Sequence, residues 1–186
     1  IGVETLIRRQ VDAILFITPV SASNVQLAVD AGVPVVQVER NTRVQTSMVL
    51  VDNYVGSVAA TEHLLTLGHR RIAFIGSTIK HEPDGASALI DEQRLAGFVD
   101  TMRAYGLPVC EEWIGLGENF SSDGNDAYGD GYRLACQYLD GDPRPTAIFA
   151  ADGVFAARVL PAPSARRALW SQGMLAGWVH VTLVRV

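Results

Sequence analysis

The feature that most constrains this chain is a repeated unit: a short apolar run, a turn marked by Gly or Pro, then a segment whose apolar residues recur at helical spacing. Val11–Ile17 (VDAILFI) is the first such run, nearly continuous in apolar character and ended by Thr18-Pro19, which predicts a strand buried on both faces. Ser23–Ala31 reads as a helix closed by Gly32, and Pro34 opens the next element. Val35–Val38 and Ser47–Val51 are the next two strands. Asp52 suits the N-cap of a helix running to Leu67 and stopped at Gly68, with Gly56, Ala60, Leu64 and Leu67 on one face.

The alternation continues with a strand at Ile72–Ile75 and a helix at Asp91–Tyr105, whose Leu95, Phe98, Met102 and Tyr105 form the inward stripe. A short strand is expected at Trp113–Leu116, and Gly115–Asp130, rich in Gly, Asn, Asp and Ser, reads mostly as loop. Tyr128–Leu139 is a helix with Gly131, Leu134, Ala135 and Tyr138 inward. Thr146–Ala150 is a strand, and Asp152 can cap the helix after it. Strands alternating with helices at this spacing imply parallel sheets covered by helices, an α/β fold. In such sheets ligands bind beyond the carboxyl ends of the strands, so the residues to inspect come after Ile17, Val38, Val51, Ile75, Leu116 and Ala150.

Those positions carry polar groups. Glu39 and Arg40 come after Val38; such a pair can hold neighbouring hydroxyls from both sides, the carboxylate accepting and the guanidinium donating, or can simply form a surface ion pair. Asp52 and Asp152 are caps first, each with a lone pair to spare. Arg94, placed in the first turn of its helix, either reaches back over the sheet or lies in solvent. Asn125, Asp126 and Tyr128 offer the polar and aromatic groups that sugar sites use, or form a solvated turn.

Composition narrows the function. The chain has 186 residues, a formal net charge of -5 and 48% hydrophobic residues, so it reads as globular and lacks the basic stripe of a nucleic-acid surface. No apolar run approaches a membrane span, and the two cysteines, Cys110 and Cys136, are expected as free thiols of a cytoplasmic protein. Ile75-Gly76-Ser77 lacks the second glycine of a dinucleotide site. The histidines are dispersed, and no metal spacing or nucleophile–His–acid order appears. An enzyme, a cofactor and a metal are therefore not expected.

His63–Gly76 (HLLTLGHRRIAFIG) resembles the helix–turn–strand signature of the LacI family of sugar- and purine-responsive repressors. VDAILF, AGVPVVQVER, MVLVDNYVGSVAATEHL, RLAGF, GDGYRLACQYL and RPTAIFAAD occur in that family's order and spacing, from about Val3 to Val159. The resemblance implies a periplasmic-binding-protein-like fold of two Rossmann-like lobes with parallel sheets, crossing near Val51-Asp52, with a small-molecule effector, a sugar by default, held between them. It implies Glu39, Arg40, Asp52, Arg94, Asp126, Tyr128 and Asp152 as ligand residues. Asp126 stands where the family often has a stacking aromatic, which brings in Phe120 or Tyr128 as substitutes, and Ala151 replaces a frequent ligand-binding Asn. It also implies a homodimer acting on operator DNA through a head absent from this chain. The alternative of the same fold is a periplasmic sugar receptor of a transport system.

The expected layout is a partial amino-terminal lobe over 1–51, an incomplete carboxyl-terminal lobe over 52–157 and an atypical tail over 158–186. Pro161 and Pro163 break the helix the family would continue. One account is a shifted reading frame: read one base back, a suitable choice of codons for Pro163–Val179 can encode LREAGAVVPGDVSRVG, similar to the family's next helix, turn and strand. The other is a divergent tail in which Leu175–Val184 supplies a substitute strand; the nucleotide sequence decides between them. With its usual last strands lacking, the chain alone is expected to bind sugar weakly if at all.

Overall fold

The computed structural model describes residues 2–17, 19, 21–77, 86–117, 127–151, 155–156, 169–175 and 179–185. The chain forms two compact units, one from Ile1–Val51 with Lys80–Ile90, the other from Asp52–Ile79 with Asp91–Val186.

The first unit holds α1 (Val3–Arg8), β1 (Ile14–Ile17), α2 (Ala22–Asp30), β2 (Val35–Val38) and β3 (Ser47–Val49), with a parallel sheet in the order β1-β2-β3. Ser21 caps α2, its hydroxyl accepting from the Asn24 amide at 3.2 Å, and Gly32 leaves the helix at φ +74, a conformation that glycine adopts without strain. One sheet face carries the core: Ile14 and Val35 pack with Val25 and Ala28 of α2. The other face departs from the sequence expectation. Leu15, Ile17 and Val49 share it by register and are 60%, 67% and 62% exposed. An apolar run reports that a strand suits burial on both sides; it does not supply the second covering layer.

The second unit holds α3 (Asn53–Thr66), β4 (Ile72–Ser77), α4 (Ala86–Ala104, within this unit from Asp91), a 3-10 turn (Glu111–Trp113), β5 (Ile114–Gly117), α5 (Ala127–Asp140) and β6 (Ala147–Ala150). β5, β4 and β6 are parallel neighbours in that order. Every residue of β4 and β6 is buried, as a central strand between two layers requires. Phe74 stacks on Phe149 with centroids 5.2 Å apart and meets Phe98 of α4 at 5.3 Å on one face. Ala73 and Ile75 face Leu134, Ala135 and Tyr138 of α5 on the other. Burial of each phenylalanine contributes roughly 1.5–3 kcal/mol.

The glycine of the RLAGF segment has a physical reason to be there. A Cβ on Gly97 would lie 2.6 Å from the Tyr54 carbonyl oxygen and 2.9 Å from the Ser57 Cβ, so α3 and α4 cross closely only because that atom is absent. Leu67 and Tyr105, expected to point inward, are each 54% exposed. Both stand one residue or less beyond the last helical turn, where the periodicity no longer applies. Gly115–Gly117 are strand and Ala127–Asp130 helix, so the segment expected as loop is shorter at both ends.

The tail forms two strands, β7 (Leu169–Leu175) and β8 (Val179–Arg185), rather than a single one at Leu175–Val184. β8 pairs antiparallel with β6 and β7 antiparallel with β8. The edge of the sheet is therefore occupied by a hairpin, and the second sheet is mixed rather than wholly parallel. The β-branched Val179, Val181, Thr182 and Val184 of VHVTLVR favour extended backbone whichever way the chain runs.

Candidate functional site

Each unit presents polar side chains beyond the carboxyl ends of its parallel strands. In the first, β2 runs directly into Glu39 and Arg40, both half-buried. The Glu39 amide still donates to the Val49 carbonyl at 2.8 Å, extending the ladder, but its φ of 72° turns the chain out of the sheet. A glutamate in this left-handed region costs about 1 kcal/mol, a cost that persists where neighbouring contacts impose the conformation. Arg43 has φ 65°, and its amide donates to the Asn41 side chain at 2.7 Å. Beneath this loop lies Gln37, with no exposed surface. Its Nε2 donates to the Val44 carbonyl at 3.1 Å and to Thr46 Oγ1 at 2.8 Å, and its Oε1 accepts from the Thr42 amide at 3.0 Å and hydroxyl at 2.7 Å. Sequence reasoning alone misses Gln37; a polar residue at an inward position of a strand is the available signal.

In the second unit the centre is Arg94. Since α4 begins at Ala86, Arg94 lies in the helix interior and not in its first turn. It does not lie free in solvent. Its Nε donates to Asn53 Oδ1 at 2.9 Å and its Nη1 to the Ala151 carbonyl at 3.0 Å, and its own carbonyl accepts from the Ser57 hydroxyl. Ala151 lies just past the end of β6, and its amide donates to the Ile75 carbonyl of β4 at 2.8 Å. The guanidinium is thereby fastened across the carboxyl end of the sheet. Two of its N–H groups are committed to these acceptors among the described residues, and a guanidinium fork has more to offer.

Asp52 is exposed and caps α3, its carboxylate accepting from the Val55 amide at 2.9 Å. Its neighbour Asn53, buried and likewise missed by sequence reasoning, is the residue that holds Arg94. Ser77 closes β4 with a buried hydroxyl that finds no hydrogen-bond partner among the described residues, on the same strand face as Ala73 and Ile75. Tyr128 falls in the first turn of α5. Asp126 and Asp152, with the alternative Phe120, lie outside the described residues. Cys110 and Cys136 are free thiols. Among the described residues, no group of His, Cys, Asp and Glu could hold a metal ion, and no helix is long and apolar enough to cross a membrane.

Residues 61–168 match the model of a periplasmic binding protein-like domain. The chain is 34% identical over 147 residues to the HTH-type transcriptional regulator CelR of Thermobifida fusca, a match covering 76% of this chain and 39% of CelR. Among solved structures, a regulatory protein of the LacI family from Chloroflexus aggregans superposes with a TM-score of 0.69 at 25% identity, over 88% of this chain and 55% of that one. A complex of the transcriptional regulator CelR with cellobiose superposes with a TM-score of 0.65 at 28% identity, over 89% of this chain and 47% of that one. The chain thus spans about two-fifths of the length of the curated relatives it matches.

Proposed function

The chain belongs to the periplasmic-binding-protein-like domain family in the form found in LacI-type transcriptional regulators, and from that premise we propose that it is the effector-binding core of such a regulator and that its effector is a small sugar. The observation that carries the reading is the clamping of Arg94 to Asn53 and Ala151 at the carboxyl end of β4 and β6, where open α/β sheets receive ligands. An arginine fixed by two acceptors loses little further freedom when its remaining donors engage a hydroxyl, so it binds with less entropic cost than a mobile one.

The donors and acceptors point to the effector class. Glu39, Arg40, Arg94 and the polar residues Asp52, Asp126, Tyr128 and Asp152 suit the paired hydroxyls of a pyranose or furanose better than a planar base. The CelR–cellobiose complex among the similar structures supports the same class. Effector binding would shift the balance between two arrangements of the regulator, changing how a homodimer engages operator DNA through a separate head. The matched curated relatives are transcriptional regulators, which disfavours a transport receptor.

The test is a backbone-amide NMR titration of the chain with cellobiose, glucose and ribose, a method that reads affinities down to the millimolar range. Saturable shifts around Arg94 with one of these sugars, abolished in Arg94→Ala, are expected. Identical responses of wild type and Arg94→Ala to every sugar would overturn the reading.

A further inference from the structure

We infer that Gln37 is a positioning residue: its side-chain amide ties the return leg of the β2–β3 connection to β2 and so fixes the direction in which Glu39 and Arg40 are presented. The inference rests on the reading of those two residues as hydroxyl-binding.

Position 37 alternates with Val35 on the helix-covered side of β2, where an aliphatic side chain is the usual occupant. A primary amide there is unfavourable unless its donors and acceptor are satisfied. Here both N–H groups and both acceptor directions are used, on Thr42, Val44 and Thr46. All three partners lie in one short stretch of chain, the one that returns from Arg40 towards β3. None of these bonds goes to a helix or to a neighbouring strand's interior, so the amide contributes to the shape of this connection rather than to the joining of layers.

The bond from Thr42 to Gln37 encloses Val38, Glu39, Arg40 and Asn41 in a closed ring. Glu39 stands in that ring with φ 72°, in a conformation that a glutamate in an unconstrained turn abandons. Two contacts impose it. The Val49 carbonyl holds the Glu39 amide from one side, and the Gln37–Thr42 pair fixes the chain three residues further on. Strain that is over-determined by its surroundings, next to a candidate ligand residue, is the pattern of a preorganised site.

The experiment uses the whole chain and the apolar isostere Gln37→Met, with two readouts. Without ligand, the HN–Hα coupling and the Cα and Cβ shifts of Glu39 report whether its backbone is left-handed. Gln37→Met is expected to move them to ordinary extended or helical values. With the sugar found to bind, affinity is expected to fall at least tenfold in Gln37→Met. In a Glu39→Ala, Arg40→Ala background the same substitution is expected to have no further effect. A left-handed Glu39 in Gln37→Met, or an equal affinity loss in both backgrounds, would overturn the inference. If Gln37→Met does not fold, Thr42→Val removes one bond from the same ring and should move the Glu39 signals in the same direction; unchanged signals count against the proposal. Should no sugar bind even the unaltered chain, the effector reading fails, while the Glu39 signals still decide the role of Gln37.

Discussion

The guanidinium of Arg94 and the carbonyl of Ala151, fifty-seven residues apart in the chain, meet at 3.0 Å across the carboxyl end of the second sheet. One bond ties the middle of α4 to the end of β6, and its partner bond to Asn53 ties in the start of α3. Arg94→Ala should therefore lower stability as well as ligand response, by about 1–2 kcal/mol from the two lost charge-assisted bonds. Arg94→Lys retains the charge but not the planar fork. It should recover part of the stability and little of the sugar response, as read by thermal denaturation and NMR titration side by side.

Glu39→Gly separates backbone from carboxylate. Glycine accepts φ 72° without strain, so stability should stay level or rise by up to about 1 kcal/mol while sugar affinity falls. Urea denaturation reads the first quantity. A clear loss of stability would mean that the carboxylate, not the strain, dominates there.

Gly97→Ala introduces a methyl where α3 offers a carbonyl oxygen at 2.6 Å. The helices must separate, at a cost of about 1–3 kcal/mol. Because Gly97 lies one turn after Arg94 on α4, the same change should also disturb the amide signals of Asn53 and Ala151.

Tyr138 lies buried against β5 with a hydroxyl that has no hydrogen-bond partner among the described residues. Burial pushes its phenol up to about 12, against the pull of Arg133 and helped by Cys110. The folded state thus keeps this proton to higher pH than the unfolded chain, whose phenol ionises near 10. This contribution to stability is complete below pH 10 and is lost as pH rises from 10 to about 12. Tyr138→Phe should remain within about 1 kcal/mol of wild type, or exceed it, at neutral pH. It should also lose stability less steeply above pH 10, which denaturation curves at a series of pH values will show.

The open face of Leu15, Ile17 and Val49 is expected to promote self-association of the chain at high concentration. Leu15→Lys with Ile17→Thr should reduce light scattering at high concentration and leave the Arg94 response intact. Unchanged scattering would show that this face is not what drives association.

By itself the sequence determined the alternation of strand and helix, the cap at Asp52, the glycine stops at Gly32 and Gly68, and the ordered segments that identify the family. These signals are local: each depends on what a backbone prefers over a few neighbouring residues. Only the tertiary structure decided that Arg94 would be clamped by Asn53 and Ala151, since those partners lie 41 and 57 residues away and no spacing rule reaches so far. It decided that Gln37 would be satisfied at an inward position where an aliphatic residue is usual, through a loop closed back on its own strand. It left Leu15 and Ile17 open, because an apolar run records a preference for burial and packing alone supplies the layer that buries it. It also set β8 antiparallel to β6, a choice that strand propensity leaves undetermined because backbone ladders close in either direction.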